Sequence, residues 1–173
     1  MTVRQRDRKA DRGAVVVPES VDQLTAVQGL FRAYAESLDF DLCFQDFDAE
    51  MAEFPGKYVA EQGGGLLLAT WDDAPVGAVA LRDLGDGYCE MKRLFMAPAA
   101  RGTGLGRRLI DGIVDMGRAR GYRGMRLDTV PGHHDTAIAI YRRIGFRDID
   151  PYCHNPVPGA IFLEIRYDQP PPA

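Results

Sequence analysis

The chain has 173 residues, 46% hydrophobic and 27% charged, proportions that fit one globular domain and exclude a coiled rod, a disordered tail or a disulfide scaffold. Twenty-one Lys and Arg stand against 25 Asp and Glu, and the formal charge of −4 lacks the global attraction of a nucleic-acid binder. No run reaches the roughly 20 apolar residues of a membrane span, no apolar secretory stretch opens the chain, and three scattered cysteines suit reduced thiols. A cytoplasmic protein with no membrane or nucleic-acid partner and no metal is therefore expected.

Residues 1–13 carry Arg4, Arg6, Arg8, Lys9 and Arg12 with almost nothing apolar, and are read as a flexible basic arm outside the core. One domain is expected over residues 14–168, and residues 169–173 form a proline-rich tail that cannot join a sheet interior. Ala14 to Pro18 is a short β-branched strand. Ser20 then stands as a helix cap before Leu24, Val27, Leu30, Phe31, Tyr34, Ala35 and Leu38, spaced by threes and fours. A weaker helical stretch from Asp46 to Phe54 stops at Pro55-Gly56.

Three apolar runs follow, 65–71, 75–82 and 88–96, divided by Asp72-Asp73 and Gly85-Asp86-Gly87, and predict an antiparallel meander. After Pro98 the period turns helical, with Leu105, Leu109, Ile113 and Met116 on one stripe and Gly121 at the end. Residues 123–130 read as a strand, 135–144 as a helix closed by Gly145, and 146–149 and 160–167 as two last strands. The strand–helix–strand unit from Tyr88 to Val130 demands a right-handed crossover. The fold class is therefore α/β (α+β), a mixed sheet of about seven strands flanked by about four helices.

The sharpest feature is the junction from Leu94 to Arg108, a strand that enters the glycine-rich turn Arg101-Gly102-Thr103-Gly104-Leu105-Gly106 and opens a helix. Glycines let the backbone turn its N–H groups toward an anion, and the helix N-terminus adds positive potential, with Arg101, Arg107 and Arg108 as further cations. Position 107 is Arg where a dinucleotide fingerprint needs a third glycine, and no Gly-Lys-Ser/Thr of a Walker loop is present. The segment does match Arg-x-x-Gly-x-Gly, and Ala137-Ile138-Ala139-Ile140-Tyr141-Arg142-Arg143-Ile144-Gly145-Phe146 supplies a second signature. With these two motifs in order the chain resembles the GCN5-related N-acetyltransferases, the GNAT superfamily. Residues 89–94 and 151–159 are similar to a bacterial subgroup of mostly unassigned substrate.

The resemblance implies a GNAT fold with acetyl-CoA as co-substrate, lying between the fourth and fifth strands with its pyrophosphate on the turn. It carries the cofactor contacts onto Leu94, Phe95, Met96, Arg101, Gly102, Thr103, Gly104, Leu105, Gly106, Arg107, His134 and Tyr141. It implies Tyr141 as the acid that protonates the departing thiolate, unless that tyrosine only packs against the sheet. Amine acetylation also needs a proton acceptor, because a lysine-type amine has a pKa near ~10.4. Glu90, eleven positions before Arg101, sits where the histone-acetylating branch carries its base; the competing reading pairs it with Lys92 or Arg82. Period-two alternation puts Tyr88, Glu90, Lys92, Leu94 and Met96 on one strand face, with Cys89 on the other.

His134 stands where many members carry an asparagine that touches the cofactor. With His133 it could bind CoA, act as an alternative base, line the acceptor site or remain a polar loop residue. The acceptor pocket is expected between residues 41–54 and 151–159, with Phe44, Asp128, Tyr152, His154 and Asn155 as substrate candidates. A primary amine of a small molecule, an amino acid derivative or a peptide fits such a pocket. The reading is an N-acetyltransferase working by direct attack on the thioester. The alternative is a non-catalytic acyl-CoA-binding sensor, and a homodimer is open.

Overall fold

Ser20 accepts a hydrogen bond from the Gln23 backbone N–H at 3.1 Å while the Gln23 side chain accepts from the Ser20 N–H at 3.2 Å, a reciprocal cap that starts α1, Val21–Ser37. The computed structural model that shows this describes residues 12–169. The strands are β1 (Gly13–Val16), β2 (Gly65–Trp71), β3 (Ala74–Gly85), β4 (Tyr88–Met96), β5 (Gly124–Thr129), β6 (Arg147–Ile149) and β7 (Ile161–Arg166). The remaining helices are α2 (Phe47–Ala52), α3 (Leu105–Ala119) and α4 (Asp135–Ile144). The strands form one sheet in the order β1-β2-β3-β4-β5-β7-β6. Every neighbouring pair is antiparallel except β4 with β5, so the sheet is mixed, as the crossover through α3 requires.

Alternation along the strands sorts the core into two layers. Leu67, Val79, Leu81, Met125 and Leu163 pack with Leu109, Ile113 and Ile138 of α3 and α4 on one face. Leu66, Leu68, Ala78 and Ala80 pack with Val27 and Phe31 of α1 and Met51 of α2 on the other. No helix among the described residues is long and apolar enough to cross a membrane.

Two details depart from expectation. Residues 1–11 and 170–173, most of the basic arm and proline tail, lie outside the described residues, but Arg12 and Gly13 belong to the sheet edge. Gly13 pairs with Trp71, and Arg12 forms an ion pair with Asp72. The second departure is in β4. Its register against β3 steps from Ala80↔Lys92 to Ala78↔Phe95, three residues against two, and Arg93 takes φ +60° at the bulge. The strict alternation expected across Tyr88–Met96 therefore breaks. Glu90 and Lys92 face the α1–α2 layer with Gln45, whereas Leu94 and Met96 pack on the α3–α4 core. Cys89 does lie opposite Glu90, buried in that core.

Candidate active site at the opening between β4 and β5

The two parallel strands pair only at Tyr88↔Gly124, Cys89↔Met125 and Glu90↔Arg126. Beyond that point they part, and the β5-facing backbone of residues 91–96 has no strand opposite. The opening leads to the glycine-rich turn. Gly102 and Gly104 have φ +80° and +84°, and a Cβ on either would meet nothing within 4 Å. They are needed for the left-handed backbone rather than for lack of room. Thr103 donates its hydroxyl to the Ala100 carbonyl at 2.7 Å and accepts from the Leu105 N–H at 3.4 Å, which fixes the entry into α3. The first intrahelical bond is Arg108 N–H to the Gly104 carbonyl at 3.2 Å, so the N–H groups before it are unused by the helix.

The cations around the turn are not equivalent. Arg101 is exposed with no polar partner among the described residues, Arg107 is held by both oxygens of Asp111 at 2.8 Å, and Arg108 donates to the Gly13 carbonyl at 2.9 Å. An open strand edge, unused helix N–H groups and a free arginine fit a ligand with a peptide-like arm and a pyrophosphate. Metal ligation has no comparable support. Glu90, Asp128 and Cys153 do bring donor atoms within 4.8 Å of one another, but the cation standing there is Lys92, with Nζ 3.9 Å from each carboxylate.

A cavity of about 50 Å³ sits inside the opening, lined among others by Tyr34, Lys92, Asp128, Thr129, His134 and Tyr141. Tyr141 is 5% exposed, and burial pushes its phenol well above the ordinary range, so it is a protonated donor. Tyr34 is raised to about 12, chiefly by burial, and packs edge-on to Phe95 at 6.3 Å. His134 precedes α4 and lies 3.0 Å from the Thr129 hydroxyl through Nδ1. Burial and His133 lower its pKa, against a smaller opposing effect of Asp135.

A wall of paired polar side chains adjoins this cavity. Glu90 is 0% exposed; Oε2 takes an ion pair from Arg82 and Oε1 accepts from the Tyr152 hydroxyl at 2.8 Å. Asn155 donates to Asp128 Oδ2 at 2.9 Å. Lys92 donates to Gln45 at 3.1 Å, and its pKa is lowered by burial despite Glu90 and Asp128. Arg93 makes a two-pronged bond to Glu50, at 3.1 and 3.0 Å, and also donates to Gln45 at 2.6 Å.

Of the residues singled out from sequence, Glu90, Asp128, Tyr152 and Asn155 come together on this wall, and His134 and Tyr141 line the cavity beside it. His154 is exposed and stands apart, and the Phe44 side chain lies outside the described residues. The pairing of Glu90 with Arg82 is present, as its competing reading held. Tyr34, Gln45, Glu50, Arg93 and Thr129 were not singled out. Tyr34 lay in an apolar helical stripe, and Glu50 lies 43 positions from Arg93, a separation no local spacing encodes.

The acetyltransferase (GNAT) family model matches residues 27–146. An uncharacterised N-acetyltransferase of Schizosaccharomyces pombe is 34% identical over 157 residues, spanning 88% of this chain and 92% of the relative. A GNAT acetyltransferase structure from Staphylococcus aureus superposes with a TM-score of 0.72 at 17% identity, over 89% of this chain and 98% of that one. A Salmonella typhimurium protein solved with its cofactor acetyl-CoA superposes with a TM-score of 0.67 at 18% identity, over 91% of this chain and 95% of that one.

Proposed function

The chain belongs to the acetyltransferase (GNAT) family and is an N-acetyltransferase; from that premise we propose that acetyl-CoA is its donor and a primary amine its acceptor. The acceptor is a small molecule, an amino acid derivative or a peptide. One observation carries the reading: β4 and β5 stop pairing after Glu90↔Arg126, directly ahead of the glycine turn, and the opening contains Tyr141.

When bound, acetyl-CoA supplies the activated thioester carbonyl. The N–H groups of residues 102–107, apart from that of Leu105, which the Thr103 hydroxyl accepts, and the Arg101 guanidinium bind the pyrophosphate end. The unpaired edge of β4 between Met91 and Met96 binds the extended arm and offers N–H donors where negative charge develops. Tyr141 Oη gives its proton to the leaving sulfur; the same burial that raises the phenol raises a thiol, which keeps the two matched. In this reading Asp128 receives the amine, since among the described residues the cation nearest its Oδ1 is Lys92 at 3.9 Å. Glu90 sets the charge of that wall, fully buried and held by Arg82 and Tyr152.

Calorimetric titration with acetyl-CoA and CoA, followed by a panel of amines with a thiol-release readout, tests the reading. Micromolar binding with release on some amines is the expected result. Binding without release across a broad panel would favour an acyl-CoA sensor, and no binding would make the glycine turn purely structural.

A further inference from the structure

Thr129 ends β5 and His134 stands immediately before α4, so the turn between them folds one side chain back onto the other. Thr129 Oγ1 and His134 Nδ1 are 3.0 Å apart, and the imidazole is stacked on the Tyr34 ring at a centroid distance of 5.9 Å and a tilt of 28°. The ring is thus held on one face and at one nitrogen. Nε2 is the nitrogen with no partner among the described residues, and His134 lines the same cavity as Tyr141. Glu90, the other base considered, is fully buried with both oxygens engaged.

We propose that His134 is the general base of the reaction, accepting the proton of the acceptor amine at Nε2, with Thr129 as the positioning residue that holds the Nδ1–H tautomer. This rests on the N-acetyltransferase reading of the site. The acceptor enters as the free amine. His134 Nε2 receives the proton that the amine nitrogen sheds as its bond to the acetyl carbon forms. Tyr141 Oη supplies the proton taken up by sulfur, which leaves with the electron pair of the broken C–S bond. Imidazolium and phenolate then return to their starting forms by passing one proton between them through water, so the protons balance.

The groups facing the imidazole favour this role. Tyr34 from α1 and Tyr141 from α4 are neutral. Lys92 and Arg93 from β4 and Asp128 from β5 line the same cavity, cations and an anion together, while the neighbouring Asp135 favours protonation. His133 opposes it and is itself 3.2 Å from Asp39 in the segment after α1. The net effect, with burial, is a histidine that stays neutral and able to accept a proton near neutral pH.

Nitrogen-15 NMR of the ligand-free protein reads the tautomer directly, with His134→Asn assigning the signal among the three histidines. The expected spectrum shows Nδ1 protonated and Nε2 bare in the wild type, with the preference lost in Thr129→Val. His134→Asn keeps a polar side chain but removes the basic nitrogen, so CoA affinity should stay within about 3-fold while kcat falls by about 100-fold, the lower end of general-base contributions. The inflection that His134 adds to the wild-type kcat/KM profile should vanish, leaving only the rise set by the free-amine fraction, and His134→Gln should behave alike. An Nε2–H tautomer in the wild type, or variants that keep kcat and that inflection, would overturn the role while leaving the enzyme reading intact. Wild-type protein that binds CoA but acetylates no amine would overturn both.

Discussion

Buried charge is costly unless it is matched, and β4 carries three charged residues in a row of four positions, Glu90, Lys92 and Arg93, at 0%, 8% and 5% exposure. Each is matched by a residue from another part of the chain: Arg82 and Tyr152 for Glu90, Gln45 for Lys92, Glu50 for Arg93. Removing one member of such a pair strands the other, which is worse than never having buried either. Glu90→Gln leaves the half-buried Arg82 guanidinium without its carboxylate and Lys92 with Asp128 as its one remaining carboxylate among the described residues, beside Gln45. We expect a loss of roughly 3 kcal/mol in urea unfolding. If His134 is the base, the folded fraction of Glu90→Gln keeps more kcat than His134→Asn. An unchanged unfolding midpoint would show that the pair contributes nothing to stability.

At the scale of the element, the bulge in β4 joins fold to site. It turns Leu94 and Met96 onto the α3–α4 core, leaves Arg93 pointing at α2, and coincides with the place where β5 separates. The Arg93–Glu50 bond ties α2 to the sheet there, beside the packing of Met51 and Phe47. Burial alone would raise the Glu50 pKa, but Arg93, with help from Lys57, outweighs it and the carboxyl ends below its ordinary 4.5. A group whose folded pKa is depressed contributes stability that is complete above its unfolded value and is lost as pH falls through the folded one. Wild-type stability should therefore drop more steeply than that of Glu50→Gln between about pH 5 and pH 3 in denaturant titrations, the two curves converging at the acid end. Parallel curves would mean that Glu50 titrates alike folded and unfolded. The elements themselves were legible, because alternation of two and spacings of three and four survive in the sequence. The bulge was not: Leu94 and Met96 are apolar and suit either face, so continued alternation concealed the extra residue. The turn and Tyr141 were legible as contiguous motifs. The proposed acceptor wall was only partly so, because its pairs, such as Glu50 with Arg93 and Tyr152 with Glu90, join segments tens of residues apart.

For the whole molecule, the opening that forms the site is also a short join between two parts of the sheet, with as few register pairs as β6 with β7. The β1–β4 meander and the β5-β7-β6 unit are hydrogen-bonded to each other through only three register pairs, whereas β5 and β7 alone share six. α3 crosses the join and packs on both sides, with Leu109 and Ile113 in the same core as Val79 and Met125. A ligand that fills the opening and bonds to its strand edge replaces the missing ladder, and so binds the folded chain far more tightly than the unfolded one. At a CoA concentration of about 100 times Kd the added stability is about 2.7 kcal/mol, which for a domain of this size raises Tm by roughly 5–11 °C. The gain should be spread unevenly. Hydrogen exchange should slow most in residues 91–96 and 102–107, which carry the binding N–H groups, and should also slow in β5 and β7, which are otherwise free to open at the join. Protection confined to the glycine turn, with β5 and β7 exchanging as before, would mean that CoA docks on the surface of the turn and does not close the sheet.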